Sequence, residues 1–480
     1  MTALFYPGAC VNDIANLQPV CPMSSQLRLI AINGMLGYGY PAESLQRGML
    51  HSPHFLGVDA GSTDAGPYYL GHGVPLTAPR QIERDLRPAM RAAHGAKVPL
   101  IVGSAGFGGA RPHVELFLSI ADRVAREEGL KLRAAVIYAD LDRAMVQAAL
   151  TQGRVRPLAG APALSAEAIA ASSQLVGQMG TEPLIAALDA GVDMIIAGRS
   201  CDTAIYAALP ILRGFDPGLA IHMAKIMECG AQCALPLAPN DCLMGVIERD
   251  HFAIKTLHPD RRVTPESVAA HSLYEQPDPY LIHEPEGTVD MRDAEFEQID
   301  PQTVRVSGSK LIPVSGAPTI KMEGSRLVGY RAVTIAGMRD PNVIANVDVI
   351  SQRAQEMAFS NLQGVDLSKV TVNWRAYGRD AVLGDRDPDR QKAPHEVGLM
   401  IEAIAETQET ANTVLALLRS SALHCPFEGR TTTAGNLAFP FSPSDLAGGA
   451  VYEFSAYHLL ETDEPAKLFP FDIVTLGARS

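Results

Sequence analysis

The sequence predicts an α/β protein: a parallel sheet with helices on both faces in the N-terminal part, and a second α+β domain after it. Three observations predict this. Short apolar runs recur in the N-terminal part, each ending in a Gly-rich or acidic turn and most leading into a helical stretch; strands of that kind alternating with helices mark a parallel sheet buried on both faces. Near residue 245 the texture changes to strands with polar alternation. The 480 residues, 47% hydrophobic and 19% charged, supply a large core and argue against disorder.

The first strand is Leu29–Ile32, followed by Asn33-Gly34, Gly37, Gly39 and a helix from Ala42. His54–Val58 precedes the turn Asp59–Gly66, and Val98–Val102 precedes Gly103–Gly109 and a helix over His113–Glu128. Ala134–Tyr138 leads into Asp140-Leu141-Asp142, and Met194–Ala197 into Gly198–Asp202. These loops fall at strand carboxyl ends, where open α/β sheets bind ligands. The first domain is expected over 1–250 and the second over 251–480. The second is read with strands at Val304–Ser307, Arg331–Ile335 and Val370–Trp374, a helix over Glu396–Ser420, and a long functional loop at 429–449.

Forty basic and 53 acidic residues give a formal charge of −13. That excludes the basic footprint of a non-specific nucleic-acid binder and the Lys/Arg cluster of an anionic-membrane binder. No apolar run reaches the ~18–20 residues needed to span a bilayer, and MTALFYPGACVNDIANLQP lacks the pattern of a secretory leader. Seven cysteines over so long a chain read as reduced thiols of a cytoplasmic protein.

Two carboxylates, two hydroxyls and three glycines crowd the segment Gly57–Gly66 at the end of the second strand. Gly61, Ser62 and Thr63 could present donors to an anion, while Asp59 or Asp64 serves as a base or holds a divalent metal; the alternative is a polar turn. Ser104, Gly106, Gly108 and Gly109 lie between strand and helix, where an anion loop or a structural turn is expected, with Arg111 close by. Arg199 suits a carboxylate clamp and Asp202 a binding role; Cys201 as nucleophile has no partnering His spacing. Glu228 and Gln232 read as pocket residues, and Cys229 and Cys233 share a face if helical but are too few for zinc. His72, His113 and His424 lie near these loops, each more in keeping with a structural residue than with acid–base work. The sequence requires no cofactor.

These segments resemble the acyclic terpene utilisation (AtuA-like) family. The resemblance rests on Gly198-Arg199…Asp202, Glu228-Cys229-Gly230-Ala231-Gln232 and Lys255…Asp290, covers roughly residues 28–340, and extends through Thr433–Asp445 to a subgroup. The chain departs from the family pattern at Cys233–Pro236 and at Asp260-Arg261-Arg262, whose arginines suit either an anionic partner or a solvated turn. The resemblance implies a catabolic context, acid or acyl-CoA substrates and, for the subgroup, a small partner protein encoded nearby.

The expectation is a lyase (hydratase) or isomerase acting on a small anionic substrate, a carboxylic acid or its CoA ester. Asp59, Asp64 and Glu228 would be its acid/base groups, and the chain a homo-oligomer. A non-catalytic scaffold that works only with a small partner is the alternative, and a hydrolase using Cys201 or Ser200 a third.

Overall fold

The computed structural model describes residues 25–158, 160–238, 240–431 and 433–478. The N-terminal stretch read as lacking a leader lies outside them. The chain divides into two compact units, 25–326 with 454–478, and 327–453.

The first unit opens with β1 (Leu27–Ala31), α1 (Ala42–Leu50), β2 (Phe55–Asp59), α2 (Pro67–His72), α3 (Pro79–Ala96), β3 (Leu100–Gly103) and α4 (Arg111–Glu127). It continues through β4 (Leu132–Ile137), α5 (Arg143–Thr151), β5 (Val155–Pro157), α6 (Ala166–Ala171), β6 (Gln174–Gln178), α7 (Thr181–Asp189) and β7 (Met194–Ala197). Next come α8 (Asp202–Leu212), α9 (Pro217–Met227), β8 (Leu243–Ile247), β9 (His251–Thr256) and α10 (Pro265–Ser272). Five shorter strands follow, β10 (Leu281–Glu284), β11 (Gly287–Asp290), β12 (Glu295–Asp300), β13 (Thr303–Ser307) and β14 (Lys310–Pro313).

The five expected strands are β1, β2, β3, β7 and β4, side by side and parallel. Antiparallel β8, β9, β13 and β12 extend one edge. Both faces are buried. Leu29 and Ala31 of β1 pack on one side with Ile205 and Tyr206 of α8 and Met223 of α9, while Ile30 packs on the other with Leu86 of α3. That two-sided burial is why the strands read as unbroken apolar runs.

β15 (Thr319–Met338) begins in the first unit, where it pairs with β6, and continues into the second. The second unit then holds α11 (Pro341–Ala345), α12 (Val347–Ser360), β16 (Thr371–Tyr377), β17 (Val397–Ala405), α13 (Gln408–His424) and the start of β18 (Asp445–Glu461). β19 (Phe471–Leu476) returns to the first unit and pairs with β4. In the second unit the order β16-β17-β15-β18 and the succession β-α-β-β-α-β make a split βαβ domain. Its core sets Ala332 and Ala336 of β15 and Ile401 of β17 against Ile350 of α12 and Val414 and Leu418 of α13.

Three expectations are corrected here. The boundary near 250 falls in the turn between β8 and β9, which pair within one sheet, so no domain can end there. The helix expected over Glu396–Ser420 starts only at Gln408; Val397–Ala405 is a central strand hydrogen-bonded to both β15 and β16. The loop expected over 429–449 is shorter, because β18 takes up its last residues, and it is tied down. Asn436 donates to the carbonyls of Ala422 and Cys425, Ala438 pairs with Gly337, and β18 begins at Asp445.

Gly109 has φ +66, and a Cβ there would stand 2.2 Å from the Arg199 backbone nitrogen. Gly109→Ala therefore carries both strain and a clash; it should cost about 3 kcal/mol or more in denaturant unfolding, and a loss under 1 kcal/mol would contradict this packing.

Candidate active site

A cleft of about 690 Å³ opens at the carboxyl ends of β1, β2 and β7. Each wall is set by a local constraint. After β1, Asn33-Gly34 runs against the end of α9; a Cβ on Gly34 would sit 2.8 Å from the Cys229 carbonyl oxygen, and one on Gly230 2.8 Å from the Gly34 nitrogen. The following turn is held by buried Asp85 of α3, which accepts from Gly37 N and Gly39 N at 2.8 Å each. This presents Met35 and Tyr38 to the cleft. Opposite, Arg261 is buried, pairs with Asp241 at 3.0 Å and donates to the carbonyls of Ala234 and Pro236. It fixes the segment that brings Leu237, Ala238 and Asn240 to the rim. Arg261 is thus a structural anchor rather than an anion receptor or a solvated residue, whereas Arg262 is exposed.

Five carboxylates line the cleft: Asp59, Asp64, Asp202, Glu228 and Glu275. No Lys, Arg or His of the described residues lines it. Asp59 ends β2 and accepts from Gly61 N at 3.3 Å. Burial pushes it well above the usual carboxylate range, and the charge of Asp202 adds to that. Glu228 follows α9; burial pushes it up to about 8, with Lys225 opposing and Asp202 reinforcing. Asp202 opens α8 and is also raised, by burial first, with Asp64 and Glu275 adding while Arg199 and Lys225 hold it down. Asp64 is exposed and its N–H donates to Ser62 Oγ at 3.2 Å. Lys225 is buried beneath the cleft and hydrogen-bonds Glu228.

Of the expected site residues, Asp59, Gly61, Ser62, Asp64, Asp202, Glu228 and Gln232 meet in this cleft. The others do not line it. Arg199 is no substrate clamp: its guanidinium is buried and donates to Glu323 at 2.7 Å and to Ser104 Oγ at 3.2 Å. Glu323 also accepts from Thr63 Oγ1 at 2.8 Å and pairs with Lys321 at 2.9 Å. Burial alone would raise the Glu323 carboxyl, but Arg199 and Lys321 hold it down to about 2.

The loop of Ser104, Gly106, Gly108 and Gly109 is wholly buried and faces protein. A Cβ on Gly106 would meet the His113 carbonyl at 2.5 Å, and one on Gly61 would meet Phe107 Cα at 2.1 Å. Its glycines serve close packing, not anion capture. Arg111 lies over the Tyr138 ring at 3.8 Å and pairs with Glu115. His113 is buried with Nε2 on the carbonyls of Tyr69 and Val74. His72 stacks on Tyr68, and His424 ends α13 in the second unit.

Cys201 donates its thiol to Glu284 at 2.8 Å; burial and that carboxylate raise it, so it is held as a thiol. Cys229 lines the cleft and is likewise raised by burial and by Glu228. Gly230, at φ +62, ends the helical path, so Cys229 and Cys233 do not share a helix face. Among the described residues no group of three or more His, Cys, Asp or Glu side chains is placed to hold a metal ion, Asp59 and Asp64 included. Sequence reasoning missed Tyr38, which lies on an irregular segment, and did not single out Tyr274 and Glu275, although they stand within the stretch Lys255…Asp290 that carried the resemblance.

Two measurements test these contacts. Glu323→Gln leaves the Arg199 charge buried beside a neutral partner and should cost about 3–5 kcal/mol in chemical denaturation; a neutral substitution would contradict the pairing. The raised Glu228 carboxyl favours its neutral form in the fold. Stability linked to it is therefore intact below the unfolded value near 4.5 and falls as pH rises through about 8. Glu228→Gln should gain stability relative to the unsubstituted protein by a few kcal/mol between about pH 5 and about pH 9, and parallel curves would contradict the shift.

The model of the family described as acyclic terpene utilisation family protein AtuA matches residues 79–236 and 246–439. No curated protein and no solved structure matches the chain. The matched residues include Arg199, Asp202, Glu228, Gln232, Glu275 and Glu323, while Asp59, Ser62 and Asp64 precede them. No helix of the described residues is long and apolar enough to cross a membrane. Most of the chain is covered, so it belongs to the acyclic terpene utilisation (AtuA) family, and membership implies a role in acyclic terpene catabolism.

Proposed function

We propose that the chain is a lyase or isomerase that adds or removes water, or shifts a double bond, on an acyclic substrate whose reacting end is uncharged. The observation that carries this reading is the cleft lining: five carboxylates, with Glu228 raised to about 8 and no cationic side chain. A free carboxylate would meet like charge there with no partner. Of the two substrate forms expected from the sequence, the thioester therefore fits better than the free acid, and an alcohol fits equally well. Met35, Tyr38, Leu237 and Tyr274 give apolar wall for a hydrocarbon chain, and the volume lies in the range of small-molecule sites.

The acids divide by environment. Glu228 is protonated at neutral pH and can give a proton to carbon or to a leaving oxygen. Asp59, also raised by burial, stays a neutral donor for a carbonyl or enolate oxygen. Asp202 has Arg199 at 3.9 Å and Lys225 nearby, so it is the member that carries charge and takes the proton.

The test is turnover across branched unsaturated acyl-CoA esters, the matching free acids and acyclic alcohols. Esters or alcohols should react and free acids should not. Glu228→Gln should lower kcat by about a hundredfold or more, while Asp64→Asn, at the exposed rim, should act mainly on KM. Turnover of free acids alone, or full activity in Glu228→Gln, would overturn the reading.

A further inference from the structure

Two oxygens on α8 are buried and have no hydrogen-bond partner: Asp202 Oδ1 and the Tyr206 hydroxyl. They stand four residues apart, so they lie on one face of the helix, one turn from each other. Tyr206 is fully buried, and its ring fills the space that Gly57 leaves on β2; a Cβ on Gly57 would be 2.7 Å from ring carbon Cε1. Gly57 and Asp59 share one side of that strand, so the ring lies beneath Asp59. The charged and titratable groups acting on the hydroxyl are Asp59 from β2, Asp202 from its own helix, and Glu228 and Cys229 from the turn after α9. Burial and these carboxylates keep the phenol neutral, hence a donor. Unpaired buried polar atoms are costly, and a water molecule satisfies such groups when donor and acceptor converge. Here a phenol donor and a carboxylate acceptor lie one turn apart on the same face of α8, and Asp59 and Glu228 act on the phenol as well.

We propose that α8 holds the water molecule the reaction consumes or releases, bound between Asp202 Oδ1 and the Tyr206 hydroxyl. The use of that water rests on the reading above; its binding does not. In the hydration direction the water oxygen forms a bond to one alkene carbon and gives one proton to Asp202. Glu228 gives its proton to the neighbouring carbon, whose π electrons form the new C–H bond. One water is added, and the proton gained by Asp202 balances the one lost by Glu228, which solvent restores. Tyr206 is a positioning residue: it touches the water and not the substrate.

The experiment is a high-resolution crystal structure of the full chain and of Tyr206→Phe, with turnover of both on the same ester and alcohol panel. Expected is one ordered water within hydrogen-bond distance of both oxygens, lost in Tyr206→Phe. The variant's kcat for water addition should fall about tenfold or more with KM unchanged, and double-bond shifts should be spared. A structure of the unsubstituted chain without that water overturns the site, whatever the variant does. Full kcat for hydration in Tyr206→Phe overturns its role. If the unsubstituted chain turns over none of the panel, the functional reading fails, and the density alone decides the water site.

Discussion

The buried Arg199–Glu323 pair holds together the loops that make the cleft. Arg199 leaves β7 toward α8, Ser104 follows β3 and Thr63 lies in the loop after β2; all three meet at the guanidinium or at the carboxylate it pairs with. Glu323 comes from β15, which pairs here with β6, and Lys321 on the same strand balances the remaining charge. Two ions taken out of water are tolerated only when every lone pair and proton finds a partner, and this network supplies those partners. Its consequence is positional: Asp59 and Asp202 flank these residues in sequence and inherit their placement.

That network also separates the charges by task. The cation that the sequence offered for gripping a substrate, Arg199, is buried against Glu323, and the other buried cation, Lys225, donates a hydrogen bond to Glu228 and holds Asp202 down. What remains facing the cleft is acid. In low dielectric, adjacent carboxyls cannot all ionise, so burial divides them into neutral and charged members.

The parallel sheet was legible because strands buried on both faces leave unbroken apolar runs such as Leu29–Ile32 and Met194–Ala197. The loops at their ends were legible as one edge of the cleft, which Asp59 and Asp202 line, while Glu228 joins them from the end of α9. The direction of each side chain was not legible. Glycines that relieve a close backbone approach, as Gly61 against Phe107, have the same local pattern as glycines that cradle an anion. Arg199 could not be recognised as occupied because Glu323 lies 124 residues on, in a strand with ordinary polar alternation. Val397–Ala405 read as helix because the face turned away from the core also carries apolar Met400 and Ile404, which breaks the polar alternation that marks a strand.

The central claim is that Glu228 is a neutral acid at physiological pH. Carbon-13 NMR of the full chain labelled at its Glu carboxyl carbons, with Glu228→Gln to assign the resonance, measures this directly. The account predicts titration near about 8, far above the ordinary 4.5. Titration near 4.5 would mean an ionised Glu228, and the division of roles among the cleft acids would fall with it.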